Sequence, residues 1–366
     1  MGRMRGTSRD GVVAALVIVA VLVSMGLVAW VLPDILGGPR EQVPGSSVGF
    51  AQAYGPTFQS HADLDRDFDA IAASGARWVR FDFIWSVIQA DGPDEFDWRT
   101  MDRAVRAAHE RGLRVLATLA YTPEWARPPG ATSDKFGPAR LSDFTRFARA
   151  AATRFAPQGV HAFEIWNEPN TGFWSPKPDP ARYTKMLRRA YVAIHRVDDR
   201  ATVVSGSLAA QGPELDWVAD DGGGMSPFHF LHAMYASGAH GFFDAMGSHP
   251  YGLPGPTVVN AANAFGQTPA LHREMSAHGD GDRLIWGTEA GAYTGSADGA
   301  VSEPVQAQYV VDYVTLWHAW PYTGPLFIYA LRDRSRNAAE SEDNFGVLRV
   351  DYSRKDAYDA LRHAIA

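Results

Sequence analysis

Eight short apolar runs, each followed by a segment of helical periodicity, recur along this chain and limit its fold more than any other feature. The runs are VGFAQAYG (48–55), ARWVRFDFIW (76–85), LRVLATLAY (113–121), HAFEIWNEP (161–169), ATVVSGSLA (201–209), FFDAMGSHPY (242–251), RLIWGTEAG (283–291) and PLFIYALRD (325–333). Between them, segments such as LDRDFDAIAAS, DWRTMDRAVRAAHERG, LSDFTRFARAAATRFA, PARYTKMLRRAYVAIHRV and EPVQAQYVVDYVTLWHAW place apolar residues at the spacing of an amphipathic helix, and AYDALRHAI closes the chain. Strands that alternate with helices build parallel sheets. Eight such units in about 320 residues predict an α/β fold of the (β/α)8 TIM-barrel type, a single catalytic domain over 48–366 that leaves no sequence for a second. An open doubly wound sheet is the alternative, but no G-x-G-x-x-G follows the first run.

Composition narrows the partners. With 46% apolar and 20% charged residues the chain can build a packed core, and a formal charge of −7 offers no basic face for a phosphate backbone, so no nucleic-acid partner is expected. There is no cysteine, which excludes disulfides, thiolate metal sites and cysteine nucleophiles. Eleven tryptophans and thirteen tyrosines supply flat amphipathic rings of the kind that stack on sugar faces, although most must serve as core.

The N-terminus predicts an address. Arg3, Arg5 and Arg9 lie in a basic tail (1–11) ahead of the uncharged VVAALVIVAVLVSMGLVAWVL, Val12 to Leu32. That run is long enough to cross the roughly 30 Å hydrocarbon core of a bilayer as a helix. Basic residues before it keep the N-terminus cytoplasmic, so a single-pass signal anchor at 12–32 would hold the catalytic domain outside the cell membrane, beyond a Gly/Pro/Ser-rich linker at 33–47. Secretion after signal cleavage is the alternative, but the apolar run exceeds the usual 7 to 15 or so residues of a signal peptide.

In a barrel of this type the active site is built at the C-terminal ends of the strands. The second run offers Arg80, Asp82 and Trp85 there; the third, Tyr121 and, in the following loop, Trp125. The fourth offers Asn167 and Glu168, the sixth His249 and Tyr251, the seventh Glu289, and the eighth Tyr329 and Asp333. Two carboxylates, Glu168 and Glu289, would therefore face one mouth. Paired carboxylates about 5 Å apart suit retaining glycoside hydrolysis, in which one is the nucleophile and the other acts first as acid and then as base. On that reading Glu168 protonates the leaving oxygen, and Glu289 attacks the anomeric carbon, with Arg80 and Tyr251 to keep it ionised. Asn167 would hold the sugar 2-hydroxyl, and His249 would orient the Glu168 side. Arg80 could equally be a structural ion-pair partner of Asp82, Glu164 or Glu289, His249 a satisfied structural histidine, and Tyr121, Trp125 and Tyr251 could simply pack. Strand alternation sets Glu164, Trp166 and Glu168 on one face, with Glu164 deeper in the barrel as a buried, paired carboxylate. No HExxH or EF-hand loop occurs, so neither a metal nor a cofactor is expected.

Taken together, EIWNEPN, SHPYG and WGTEAG resemble the clan of (β/α)8 retaining glycoside hydrolases that carries its acid/base on strand four and its nucleophile on strand seven. LAYTPEWA (119–126) and EIWNEPNTGFW followed by PDPARY look most like glycoside hydrolase family 39, whereas the HPY triplet and Arg80 in VRFDFIW resemble family 5. The resemblance runs from Val48 to the closing FGVLRVDYSRKDAYDAL. It implies Glu168 as acid/base and Glu289 as nucleophile, with Asn167, Arg80, His249 and Tyr251 in support. A carbohydrate partner is expected, with Tyr121, Trp125, Trp174 and Tyr329 as further candidates to bind it. Two departures bear on specificity. Many members have a tryptophan where FIYALRD offers Tyr329, and family 39 xylosidases carry an accessory β-sandwich for which this sequence has no counterpart after helix eight. The implied activity is hydrolysis of β-linked glycosides or of a cell-surface or exopolysaccharide glycan. The same residues would equally serve a transglycosylase, and a silent polysaccharide-binding barrel is the reading without catalysis.

Overall fold

The computed structural model describes residues 47–365 apart from 53–54, 212–214, 216 and 253–262. The chain divides into Met1–Glu41 and Gln42–Ala366, and the description concerns the second unit. The expected anchor at 12–32, with its basic tail, lies outside the described residues, as does all of the 33–47 linker but its last residue. Among those described, no helix is long and apolar enough to cross a membrane.

Strands β1 (Val48–Ala51), β2 (Trp78–Ile84), β3 (Arg114–Ala120), β4 (Ala162–Asn167), β5 (Thr202–Ala209), β6 (Ala245–His249), β7 (Leu284–Ala290) and β8 (Thr323–Tyr329) pair in chain order, and β8 returns to β1. Every pairing is parallel, so the sheet closes into the predicted barrel. The helices that follow the strands are α1 (His61–Ser74), α2 (Arg99–Glu110), α3 (Leu141–Phe155), α4 (Pro180–His195), α5 (Pro227–Ala236), α6 (Ala264–Ala277), α7 (Glu303–His318) and α8 (Asp356–Ala364). Their starts follow local chemistry. Ser60, Asp179, Ser226 and Asn263 each accept a backbone N–H of the first turn, and Pro180 and Pro227 stand where a helix has no N–H to lose.

All eight strands are shorter than the apolar runs that announced them, because the runs include turn residues at the strand ends. Along β2 the alternation is regular: Val79, Phe81 and Phe83 point outward into the layer shared with the helices, and Trp78, Arg80 and Asp82 point inward. The interior fills in layers. At the bottom, Trp78 packs edge-on against Trp286 (5.4 Å between centroids) and Phe327 (6.1 Å), with Leu116, Ala162, Val204 and Ala245 around them. Gly49 is obligatory beside this plug, since a Cβ there would lie 2.6 Å from the Trp78 Cβ. Two residues further along their strands, Arg80, Thr118, Glu164 and Thr288 form a polar layer that replaces the apolar one. The barrel is thus sealed below and polar above, and only the upper end can receive a polar ligand.

Candidate active site

Glu164 organises the polar layer. It is fully buried, and its carboxylate accepts from Arg80 Nε (2.6 Å), Thr118 Oγ1 (2.8 Å), Ser207 Oγ (2.5 Å) and backbone N (3.2 Å), and Thr288 Oγ1 (3.3 Å). Burial alone would raise its pKa, but the Arg80 charge and these hydrogen bonds leave it below the ordinary carboxylate value. It is therefore the buried, paired carboxylate expected from strand alternation. Arg80 reaches three acceptors at once: Glu164, Glu289 Oε1 (2.6 Å) and Asn167 Oδ1 (2.7 Å). Burial opposes its charge, and the two glutamates overcome that opposition and push its pKa well above the ordinary value. Asp82 is not among its ion-pair partners.

Strict alternation fails one step further on. Trp166 and Glu168 both have left-handed backbone, with φ of 76° and 45°. The kink turns Trp166 out of the barrel, where its indole meets Phe144 of α3 and Trp174, and donates from Nε1 to the Phe173 carbonyl. This corrects the expectation that Trp166 shares the interior face of Glu164. As a result Asn167 and Glu168, neighbours in sequence, both reach the mouth, which a regular strand would forbid. Such backbone costs of order 1–3 kcal/mol per residue and persists only where the surroundings impose it. Asn170 supplies part of that imposition: its side chain donates to the carbonyls of Ala209 and Met225 and accepts from Ala209 N, fastening the turn to the end of β5.

Across the mouth, the Tyr251 hydroxyl donates to Glu289 Oε2 (2.9 Å), opposite the bond from Arg80. His249 is wholly buried between the two glutamates, with Nδ1 2.7 Å from Glu168 Oε1 and 3.6 Å from Glu289 Oε2. Burial disfavours its charged form, but the field of Glu289 and the bond to Glu168 outweigh burial and raise its pKa. One carboxylate oxygen of Glu168 and one of Glu289 lie within 4.8 Å of each other. The same three side chains have ligand-type atoms close enough for a metal ion. Each, however, already bonds a neighbour: Glu289 is held by Arg80 and Tyr251, and Glu168 by His249.

The glutamates sit in a cleft of about 750 Å³ also lined by Gln52, Arg80, Asp82, Asn167, Tyr121, Tyr251 and Tyr329. Tyr121 stands at φ 73°, and burial raises its pKa and that of Tyr251 well above the usual phenol range. Tyr329 donates to Glu342 Oε2 (3.1 Å) and packs edge-on to Tyr251 and Phe345. Two expected substrate contacts are elsewhere. Trp125 packs on Trp85 and donates to the Gln89 carbonyl. Trp174 is buried against Trp166 and Tyr183. Neither lines the cleft, because both loops fold back over the helical layer. Asp333 is also withdrawn from the mouth: the Lys355 ammonium, itself buried, donates to it at 2.8 Å.

Three other residues of the cleft bear on what it can bind, and of these only Asp82 was expected at the mouth, as a candidate partner of Arg80. The Asp82 carboxylate takes part in no hydrogen bond or ion pair among the described residues, and its pKa is pushed up to about 6 by burial, which outweighs the nearby Arg80. Its place two residues after Arg80 on an inward-facing strand was a usable signal. Phe58 and Val87, at 67% and 47% exposure the two most exposed large apolar side chains among the described residues, form part of the rim. No sequence pattern marks them, since exposure there depends on how the first two loops lie.

Comparison with known proteins agrees with this fold. A search of curated proteins finds no match for the chain. Solved structures resemble it over most of its length. A family 39 glycoside hydrolase from the gut symbiont Bacteroides cellulosilyticus WH2 is 22% identical with a TM-score of 0.71, covering 88% of this chain and 64% of its own. A monomeric beta-xylosidase from Caulobacter crescentus CB15 is 22% identical with a TM-score of 0.67, over 89% and 69% of the two chains. GH5_18 from Streptomyces cattleya, solved with GlcNAc, is 19% identical with a TM-score of 0.66, over 88% and 80%. The chain thus spans a little under two thirds of the Bacteroides protein, and at these identities the likeness establishes the fold. The family is decided by sequence: the model of the cellulase family, glycosyl hydrolase family 5, matches residues 39–227, just over half of the 366 residues. With a closed (β/α)8 barrel and a match of that extent, the chain belongs to glycosyl hydrolase family 5.

Proposed function

We propose that the protein is a retaining O-glycoside hydrolase in which Glu289 is the nucleophile and Glu168 the acid/base. The observation that carries the proposal is the approach of the two carboxylates to within 4.8 Å at the open end of a sealed barrel. In the first step a Glu289 oxygen bonds to the anomeric carbon as the glycosidic bond breaks, and Glu168 gives its proton to the departing oxygen. In the second, Glu168 takes a proton from water, the water oxygen attacks the same carbon, and Glu289 leaves as carboxylate.

The surrounding groups fit these roles. Arg80 and Tyr251 each hold one oxygen of Glu289, which fixes the orientation of the nucleophile. Asn167 spends its carbonyl oxygen on Arg80, leaving the amide Nδ2 as a donor for the 2-hydroxyl. His249 orients Glu168 through Nδ1. Tyr121 and Tyr329 face the bound sugar. Asp82, whose half-buried carboxylate faces the cleft with no side-chain partner among the described residues, accepts from substrate hydroxyls.

β-Linked glycosides, including cell-surface or exopolysaccharide glycans, are the proposed substrates. Supporting this, the Caulobacter neighbour is described as a beta-xylosidase, and another neighbour, Op5Man5 from Opitutaceae bacterium strain TAV5, as an exo-beta-1,4-mannosidase. The apolar run at 12–32 supports a single-pass membrane anchor with the 48–366 domain outside the cell.

Turnover of a panel of aryl β-glycosides by the wild type, Glu168→Ala and Glu289→Ala tests the assignment. Azide should restore product in both variants, as the β-glycosyl azide with Glu168→Ala and as the α anomer with Glu289→Ala. Undiminished turnover in either variant removes that glutamate from its role, and inverted product from the wild type refutes the double displacement.

A further inference from the structure

On the outer wall of the barrel, His232 of α5 faces Glu274 of α6 and His278, the residue that caps α6. Glu274 and His278 are one helical turn apart and share a face. His232 Nδ1 lies 2.9 Å and His278 Nε2 3.0 Å from the same atom, Glu274 Oε1. One potential ligand atom from each of the three residues falls within 4.8 Å of the other two. A tetrahedral zinc ion with nitrogen and oxygen ligands at about 2.0–2.1 Å needs ligand atoms about 3.3 Å apart. The observed separations from Oε1 are a few tenths of an ångström short of that.

The side chains are also held in place. The His278 ring stacks on Tyr235 (4.3 Å between centroids, 9° between planes), and the Tyr235 hydroxyl donates to Asp280. The His232 ring lies parallel to Phe228 (6.5 Å, 15°). Glu274 forms the floor at 12% side-chain exposure, with His232 at 62% and His278 at 39% on the rim, so a fourth position is open to water. Two imidazoles and one carboxylate are a donor set suited to zinc.

We propose that His232, Glu274 and His278 bind a divalent transition metal of the zinc type and thereby clamp α5 to α6. Binding puts the metal where the ring nitrogens now bond Glu274 Oε1, each neutral imidazole keeping its one proton on its other ring nitrogen. The site lies at the end of α6 that leads into β7, the face of the barrel opposite the catalytic mouth, so the clamp is independent of the chemistry there.

The test is calorimetric titration of the untagged, chelator-treated full-length protein with zinc chloride in a non-coordinating buffer, beside thermal unfolding with and without the metal. One zinc per chain with a dissociation constant of micromolar order or below is expected, together with a metal-dependent rise in the unfolding midpoint. His232→Ala and His278→Gln should each weaken binding at least tenfold and remove the rise. His240→Ala, a nearby exposed histidine outside the triad, should do neither. Absence of stoichiometric binding below 100 µM or so overturns the proposal, and so does equal affinity in the wild type and either triad variant, which would put the metal elsewhere, including the Glu168–His249–Glu289 set.

Discussion

Replacing Asp82 by asparagine should stabilise the fold, and the gain should depend on pH in a defined direction. The Asp82 carboxylate faces the cleft, bonds to nothing among the described residues, and titrates near 6 instead of the reference 3.8 because burial penalises its charge. A folded-state pKa above the unfolded value means that the folded state binds the proton more tightly. Asp82 therefore costs nothing below about pH 4, and its penalty grows as pH rises to 6 and is then complete. The rise from 3.8 to about 6, at about 1.4 kcal/mol per tenfold change in proton affinity, sets an upper limit near 3 kcal/mol, and the remaining contact with solvent lowers the expectation to about 1–3 kcal/mol. Asp82→Asn preserves shape and removes the charge. Urea unfolding of both proteins at pH 4 and pH 8 should give equal midpoints at the lower pH and a higher midpoint for the variant at the upper. If Asp82 accepts from substrate, the same variant should show a raised KM at pH 8. Identical wild-type and variant stabilities at pH 8 would refute the claim that this carboxylate is held unsatisfied, and a variant less stable at pH 8 would reveal a partner for it.

Three further outcomes follow from the same geometry. Tyr251→Phe removes one hydrogen bond to a charged oxygen, of about 1.5–3 kcal/mol, and should lower kcat/KM by about 10- to 150-fold with little change in unfolding midpoint; a fall in stability without loss of rate would make Tyr251 a packing residue. Glu164→Gln breaks a fully buried ion pair and should cost about 3–5 kcal/mol at pH 7. Since the folded Glu164 pKa is depressed, its contribution is present above the unfolded value of about 4.5 and is lost as pH falls through the folded one, so the variant and wild-type unfolding curves should converge in acid. Trp174→Ala should lose about 3–5 kcal/mol of stability by leaving a cavity beside Trp166, while KM in the surviving folded fraction stays unchanged; a selective KM effect would return Trp174 to the cleft.

Much of the architecture was legible before any coordinates. The period of eight apolar runs and their helices sufficed for the barrel, because a strand covered on both faces is predominantly apolar and a helix on a barrel must be amphipathic. The ends of those runs also named Arg80, Asn167, Glu168, His249, Tyr251 and Glu289, which the fold brings to one mouth, and strand alternation put Glu164 below them. Local sequence could not say that Trp166 turns outward, since the left-handed backbone at Trp166 and Glu168 is imposed by packing against Phe144 and Trp174 and by the Asn170 bonds to β5. Nor could it separate Tyr121, which faces the cleft, from Trp125 and Trp174, which do not: all three follow strands, and only the path of each loop decides. The pairing of His232 with Glu274 and His278 joins residues some forty positions apart, and no motif spans that distance. Periodicity is a local consequence of burial and survives in the sequence, whereas the placement of a side chain beyond the end of a strand depends on contacts with elements remote in the chain, which only the closed barrel brings together.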